Sequence, residues 1–247
     1  MELAYDEAGQ GAPPMLFVHG WTCDHTYFAP QFDHFGRHHR VVAVDLRGHG
    51  ASEAPEGDYG IPVLADDVAL TAAKLDLHGA VAVGHSMGAA VVVQLAASYP
   101  ELVSALVLVD AAPLGSLEEQ AALFGPIAEN LSGADVGAVR RSFVEGALFL
   151  PTDDPALKAR VVGEMLRPPD HVALACMRGM GAWDGAAALR AVRAPVLAIH
   201  ADQAINQPEK LEALSPALRN ARTPGVGHFN QLLAPDEVNR LIEEFMA

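Results

Sequence analysis

A serine between two glycines is the first feature of the chain that could carry out chemistry. Ser86 is the centre of the pattern G-x-S-x-G at residues 84–88 (GHSMG), directly after an apolar run at residues 80–84. A serine on a sharp turn between a strand and a helix is strained and exposed, and the flanking glycines avoid clashes there. The same letters also suit a glycine-rich turn with an incidental serine. The strand before the pattern and the helix predicted after it favour Ser86 as a nucleophile.

A serine nucleophile needs a base, and eleven histidines are available. Four of them lie among charged residues early in the chain and are predicted to be solvated: His25, His34, His38 and His39. His85 adjoins the serine and is expected to point elsewhere. His228 lies in a glycine-flanked loop (GVGHF, residues 225–229) before the last predicted helix. We therefore predict that His228 is the base, which follows the serine in the chain order typical of such sites.

The developing charge on an attacked carbonyl needs hydrogen-bond donors. One donor is predicted to be the backbone N–H of Met87, directly after the serine. The other is expected in the loop after the first central strand, where His19, Gly20 and Trp21 follow the apolar run at residues 15–18. The backbone N–H of Trp21 is the candidate there, although a His-Gly pair also suits a simple tight turn.

Alternating strands and helices are predicted to position these residues. Short apolar runs typical of buried parallel strands occupy residues 15–19, 41–45, 80–84, 103–109 and 195–200. Helical spacing is predicted for residues 61–77, 87–99 and 236–245. Residues 3–7 could add an edge strand. This pattern predicts an α/β fold with a mainly parallel sheet flanked by helices.

One segment breaks the alternation. Residues 113–191 contain no convincing strand and are rich in Ala, Leu, Met and Gly, and the five prolines after Pro113 divide them into short stretches. We predict a helical cap at residues 113–191, inserted into a core formed by residues 1–112 and 192–247.

Composition narrows the class of protein. The net charge of −15 argues against nucleic-acid binding, and no apolar stretch is long enough to cross a membrane. Two cysteines are too few for a disulfide framework, and the start of the chain shows no secretory signal, so a cytoplasmic setting is expected. His34, His38 and His39 lie near Asp33, but their spacing fits no known zinc motif, so no metal is expected.

Together, four segments resemble the α/β-hydrolase superfamily over nearly the whole chain. They are HGW at residues 19–21, DLRGHGAS at 45–52, GHSMG at 84–88 and GHF at 227–229. The resemblance implies a sheet of eight strands, or seven, a helical cap and no cofactor. It is nearest to the carboxylesterase, cofactor-free haloperoxidase and carbon–carbon bond hydrolase branches, because the dehalogenase and epoxide-hydrolase branches carry an aspartate where Ser86 stands.

The acid of the triad is where the chain departs from the family pattern. Family members usually carry G-x-x-D after the strand that matches residues 195–200, but Ala204 occupies the aspartate position here. Asp202 lies in the same loop, and Asp110 ends the strand at residues 103–109. We prefer Asp110, because a strand end is rigid, although it could also be a simple cap before the following turn. An enzyme without any acid would be slow.

These observations predict a serine hydrolase that cleaves a small, neutral, fairly hydrophobic ester, thioester or lactone through an acyl-enzyme. The same residues could serve a carbon–carbon bond hydrolase or a perhydrolase. A ligand-binding protein that keeps the fold without catalysis is the alternative from another class, and Ala204 is the feature that favours it. The sequence leaves the oligomeric state open.

Overall fold

A single seven-stranded sheet forms the centre of the molecule. The computed structural model describes residues 1–133 and 135–247. The strands are β1 (Tyr5–Ala8), β2 (Met15–Val18), β3 (Val41–Val44), β4 (Ala80–His85), β5 (Val103–Val109), β6 (Val196–His200) and β7 (Arg219–Arg222). Their spatial order is β1-β3-β2-β4-β5-β6-β7, and every neighbouring pair is parallel except β1 with β3.

Helices cover both faces of the sheet. They are α1 (Ala29–Phe35), α2 (Ile61–Lys74), α3 (Met87–Ser98), α4 (Leu117–Asn130), α5 (Val136–Ala147), α6 (Pro155–Met165), α7 (Asp170–Gly181), α8 (Gly185–Ala191), α9 (Pro208–Leu214), α10 (Asn230–Leu233) and α11 (Pro235–Met246). Side chains alternate along each strand, so that Val42 and Val44 of β3 join the core beneath α2 and α3. Val41 and Ala43 join the opposite core beneath α1 and α11.

The predicted α/β fold is confirmed. The five apolar runs form β2 to β6, and the edge strand β1 begins two residues later than predicted. Of the two predicted strand counts, seven is the number found in the described residues. β7 was not predicted, because its sequence Arg-Asn-Ala-Arg is polar and it pairs only with β6 at the edge of the sheet.

Five helices, α4 to α8, occupy residues 113–191, where the described residues contain no strand. α4 begins at a capping box, in which the Ser116 hydroxyl accepts from Glu119 N and the Glu119 carboxylate accepts from Ser116 N. α6 begins with Pro155 in its first turn, behind the Asp154 cap. The helical character predicted for this segment is therefore observed, and its division from the core as a separate cap stays a prediction.

The strand order fixes where a ligand can bind. The chain runs outward from β2 to β3 on one side and from β4 to β7 on the other, so the order reverses between β2 and β4. In an open parallel sheet, the loops leaving the carboxyl ends of the two strands at such a point diverge and form a crevice. The loop after β2 carries Trp21, and the turn after β4 carries Ser86.

Candidate active site

Ser86 lies on a strained turn between β4 and α3. Its φ of 54° is in the left-handed region that non-glycine residues rarely occupy. The turn brings α3 against the strands so closely that a Cβ on Gly84 would overlap the backbone of Gly88. A Cβ on Gly88 would overlap the carbonyl oxygens of Val18 and His19. The two glycines of the motif are therefore required by this close approach of backbone to backbone.

His228 and Asp110 form a buried pair. The ring Nδ1 of His228 lies 2.6 Å from the Oδ2 atom of Asp110, and the two side chains are 6% and 2% exposed. The other carboxylate oxygen of Asp110 accepts from the backbone N–H of Ala201 at 3.0 Å. Because a carboxylate only accepts, Nδ1 carries the proton and Nε2 keeps its lone pair.

The structure distinguishes Asp110 from Asp202, the two candidates for the acid. Asp202 is exposed, and its carboxylate accepts from the backbone N–H of Gly225 at 3.1 Å. Asp110, the preferred candidate, is the one in contact with the His228 ring. It reaches this position from the end of β5 with a φ of 36°, and its own N–H donates to Ile199 O in β6.

The two predicted oxyanion donors flank the serine. Within the described part of the chain, neither Met87 N–H nor Trp21 N–H donates a hydrogen bond to another group. Met87 is the first residue of α3, where the helix dipole also favours negative charge. The Trp21 loop lies against the serine, since a Cβ on Gly20 would lie 3.1 Å from Ser86 Cβ.

Two buried histidines fix the loop that carries Trp21. His19 Nδ1 donates to Gly20 O at 2.8 Å, and its Nε2 accepts from Leu46 N at 3.0 Å. Because a peptide is planar and trans, holding Gly20 O on one side directs Trp21 N–H to the other side. His49 Nε2 accepts from Thr22 N at 3.1 Å in the same way. Burial lowers the pKa of His19, and burial together with the nearby His19 lowers the pKa of His49 to about 3, so both rings are neutral.

His85 is in contact with His228, the predicted base, and supports its backbone. Its Nε2 lies 3.0 Å from His228 O, and because a carbonyl only accepts, that nitrogen carries the proton. The two rings lie 4.7 Å apart between centroids. Burial, and then the neighbouring His228, lower the pKa of His85 well below its ordinary value. A neutral His85 therefore supports the His228 backbone without adding a charge.

Asp45 anchors the loop after β3 at the edge of the site. Its Oδ1 accepts from the backbone N–H and the ring Nδ1 of His25, at 2.8 and 2.9 Å, and its Oδ2 accepts from Ala51 N at 2.8 Å. Burial alone would raise the pKa of Asp45, but these hydrogen bonds outweigh it and hold that pKa at about 2. His25 is thus an ion-pair partner and is only partly exposed, although it was predicted to be solvated.

Ser86 and His228 line one cleft between the sheet and the helices of residues 113–191. The cleft has a volume of about 490 Å³ including its open mouth. Its other lining residues include three methionines, Met165, Met177 and Met180, and four aromatic side chains, Trp21, Phe124, Phe143 and Phe229. Among the described residues that line it, none is Asp, Glu, Lys or Arg.

The backbone strain of the molecule is concentrated here. Four non-glycine residues of the described chain have a φ in the left-handed region: Thr22, Asp76, Ser86 and Asp110. Three of the four belong to the predicted site: Thr22 follows Trp21, and the other two are Ser86 and Asp110 themselves. Residues in such conformations persist only where the surrounding structure holds them, and they cluster at functional sites. A sheet of this order, with these three features around one cleft, is the architecture of the α/β-hydrolase class.

Comparisons with known proteins agree with this class. A model of the alpha/beta hydrolase fold family matches residues 13–235. The chain is 32% identical over 251 residues to 2-(acetamidomethylene)succinate hydrolase of Mesorhizobium japonicum, which covers 97% of this chain and 90% of that protein. The chain belongs to the alpha/beta hydrolase fold family, and it is a hydrolase.

Two solved structures resemble the whole chain. A thermophilic esterase from Thermogutta terrifontis has a TM-score of 0.86 and 26% identity, and the match covers 99% of this chain and 92% of that one. Est816, an N-acyl homoserine lactone degrading enzyme, has a TM-score of 0.87 and 26% identity, with coverage of 98% and 96%. The family therefore includes both ester and lactone chemistry on this fold.

Proposed function

We propose that this protein is a serine hydrolase that cleaves neutral, hydrophobic carboxylic esters, thioesters or lactones through an acyl-enzyme. The observation that carries the proposal is the contact of His228 with Asp110 beside a cleft that His228 shares with Ser86. No cofactor or metal enters this chemistry. Among the described residues, no cluster of His, Cys, Asp and Glu could hold a metal ion.

The first half of the reaction acylates the serine. Ser86 Oγ attacks the carbonyl carbon of the substrate while His228 Nε2 takes its proton. The carbonyl oxygen becomes an oxyanion, which the N–H groups of Met87 and Trp21 stabilise. Asp110 holds the imidazolium by its Nδ1. His228 then gives its proton to the leaving oxygen or sulfur, the bond to the leaving group breaks, and the acyl group stays on Ser86.

The second half returns the free enzyme. His228 Nε2 takes a proton from water, and the resulting hydroxide attacks the acyl carbon of the ester on Ser86. The same N–H groups stabilise the second oxyanion. The proton on His228 then passes to Ser86 Oγ as the acid leaves, so one water is consumed for each bond cleaved.

The chemistry of the cleft supports a neutral substrate. Burying a carboxylate beside apolar side chains without a cationic partner is strongly unfavourable, and the described lining supplies no Lys or Arg. The Mesorhizobium japonicum enzyme is named for a succinate derivative, which carries two carboxylates. We therefore propose that this chain acts on a different, uncharged substrate.

We propose a cytoplasmic location, on the ground that both cysteines, Cys23 and Cys176, are free and buried. Among the described residues, no helix has the length and apolar character needed to span a membrane. Released acids and alcohols would then leave through the open mouth of the cleft into the same compartment.

Hydrolysis of p-nitrophenyl esters from acetate to decanoate tests the proposal. We expect wild-type turnover that Ser86→Ala abolishes and that Ser104→Ala, an exposed serine on β5, leaves unchanged. Full activity of Ser86→Ala would refute the proposal. Activity that appears only with a 1,3-dicarbonyl compound or with hydrogen peroxide would assign the same residues to carbon–carbon cleavage or perhydrolysis. Failure of a fluorophosphonate to label Ser86 would favour a non-catalytic binding protein, because an unactivated serine reacts poorly.

A further inference from the structure

The connection between α5 and α6 lies against the loop that carries His228. Leu148 O accepts from the backbone N–H of His228 at 3.1 Å. The ring of Phe149 lies 5.2 Å from that of Phe229, centroid to centroid. The loop of the proposed base is therefore held by residues 148–153, which are about 75 positions away in the sequence and outside the sheet.

The Asp153 carboxylate makes a hydrogen bond between this connection and the loop that carries His228. It is 8% exposed, and its Oδ1 accepts from the backbone N–H of Gly227 at 3.1 Å. Its Oδ2 accepts from Leu150 N at 2.7 Å, and its own N–H donates to Leu150 O at 3.1 Å. A Cβ on Gly227 would overlap the Asp153 carboxylate. The glycine before the histidine thus makes room for this carboxylate.

We propose that Asp153 is a positioning residue for His228, an inference that rests on the function proposed above. Gly227 N–H and His228 N–H are consecutive donors, and both are held by residues 148–153. Together with the hydrogen bond from His85 to His228 O, they fix the peptide groups on both sides of the His228 Cα. Asp110 therefore orients the ring of His228, and Asp153 orients the backbone that carries this ring.

Asp153 acts through His228 and not on the substrate. It does not line the cleft, whereas Leu148 of the same connection does. Loss of its hydrogen bond should displace the imidazole relative to Ser86 and leave the apolar binding surface in place. A misplacement of about 1 Å in a catalytic group can cost roughly 100-fold in rate. We expect kcat to fall and KM to stay nearly constant.

Asp153→Asn is the first variant, because an amide has one acceptor oxygen for two N–H groups and turns its own N–H₂ toward the other. We expect a loss of about 10- to 100-fold in kcat on a neutral p-nitrophenyl ester. Asp154→Asn is the matched control, because the Asp154 carboxylate caps α6 through Ala156 N, whereas it is the neighbouring Asp153 carboxylate that accepts from Gly227 N–H. We expect less than about a twofold change in kcat for the control, since a single cap changes stability and not the site.

Proton NMR of the His228 Nδ1–H provides a readout that does not depend on turnover. A proton held between imidazole and carboxylate resonates far downfield, and Asp110→Asn assigns the signal by removing it. We expect Asp153→Asn to shift or broaden this signal, while Asp154→Asn preserves it. A wild-type signal and a wild-type kcat in Asp153→Asn would overturn the positioning role. Ser86→Ala retaining full activity would instead overturn the proposed function, whatever the NMR signal shows.

Gly227→Ala tests the same contact from the other side if Asp153→Asn does not fold. The new methyl group meets the Asp153 carboxylate, so we expect the same fall in kcat and the same change in the downfield signal. Gly146→Ala, where a Cβ would meet open space, is the matched control. A Gly227→Ala enzyme with wild-type kcat and an unchanged signal would contradict the proposal.

Discussion

Replacing Asp110 by asparagine changes one oxygen of a buried side chain to N–H₂, and the structure fixes what each orientation of the amide costs. In the wild-type protein, the Asp110 carboxylate accepts from two donors, His228 Nδ1–H at 2.6 Å and Ala201 N–H at 3.0 Å. With the amide oxygen toward Ala201, the N–H₂ group donates to Nδ1 and forces the ring proton onto Nε2. That tautomer has no lone pair for Ser86. With the amide oxygen toward His228, the N–H₂ group faces Ala201 N–H instead.

The productive orientation is therefore the unfavourable one. Leaving a buried N–H without an acceptor costs about 1–3 kcal/mol, which alone reduces the population with a working base by roughly 5- to 150-fold. Loss of the carboxylate charge also removes the stabilisation of the imidazolium formed in the reaction. In serine proteases, the two effects together reach about 10⁴-fold in kcat. We expect Asp110→Asn to lose about 10³- to 10⁴-fold here.

The assay is kcat on p-nitrophenyl butyrate, with circular dichroism to verify folding. Asp202→Asn is the control, because Asp202 is exposed and its carboxylate accepts from Gly225 N–H, in the loop before His228, and not from the His228 ring. We expect less than about a threefold effect, as for most exposed polar contacts. An Asp110→Asn enzyme within tenfold of wild type, or a larger loss in Asp202→Asn, would refute the assignment of the acid.

Three further changes test how the site is supported. Gly88→Ala should disrupt the turn and abolish activity, because its methyl group overlaps the end of β2, whereas Gly125→Ala in open space on α4 should raise the denaturant midpoint. The pKa of Asp45 is about 2 in the fold against 3.8 ordinarily, which gives about 2 kcal/mol of stability above pH 4. Roughly half of this is lost by pH 3, because the carboxylate of the unfolded chain, with its higher pKa, is protonated first. Urea unfolding of wild type and Asp45→Asn should therefore converge as the pH falls, and a constant difference would contradict this. Trp21→Phe removes the hydrogen bond from Nε1 to Ala173 O at 2.9 Å, so α7 amides should exchange hydrogen faster while those of α6 keep their rate.

Local sequence patterns predicted the interior of the fold and the edge strand β1, but they missed β7 at the opposite edge. Strands β2 to β6 are buried on both faces, except near the start of β5 where Ser104 is exposed, and they consist mainly of apolar residues, which the sequence displays directly. β7 pairs with a single neighbour and exposes its arginines, so its strand conformation depends on β6 and not on its own composition. The strand order is likewise a property of the assembled sheet and not of any single segment.

The candidate site also combines residues that a local motif reveals with residues that only the folded chain reveals. Ser86 and His228 lie in short glycine-containing motifs, which is why the sequence could nominate them as candidates, and the fold places both at one cleft. The residues that hold the backbone of His228 are not marked by any sequence motif. Asp153 reaches Gly227 across 74 residues, and His85 reaches His228 across 143. Only the folded chain brings these groups together, so neither contact could be predicted from the sequence.

The position of Asp110, the predicted acid, depends on how the strands are ordered in the sheet and not on a sequence motif. β5 and β6 are parallel neighbours with Val109 opposite Ile199, so their carboxyl ends open side by side onto the same edge. A carboxylate from either strand end can therefore approach the same His228 nitrogen. Here Asp110 takes that place, and its second oxygen binds Ala201 N–H at the end of β6. The hydrogen bond joins the two strand ends. Because Asp110 is already in contact with His228, the loop after β6 can carry alanine at position 204 without leaving the histidine unpaired. Ala204 is then weak evidence for a lost activity, because the carboxylate that it lacks is supplied by the adjacent strand.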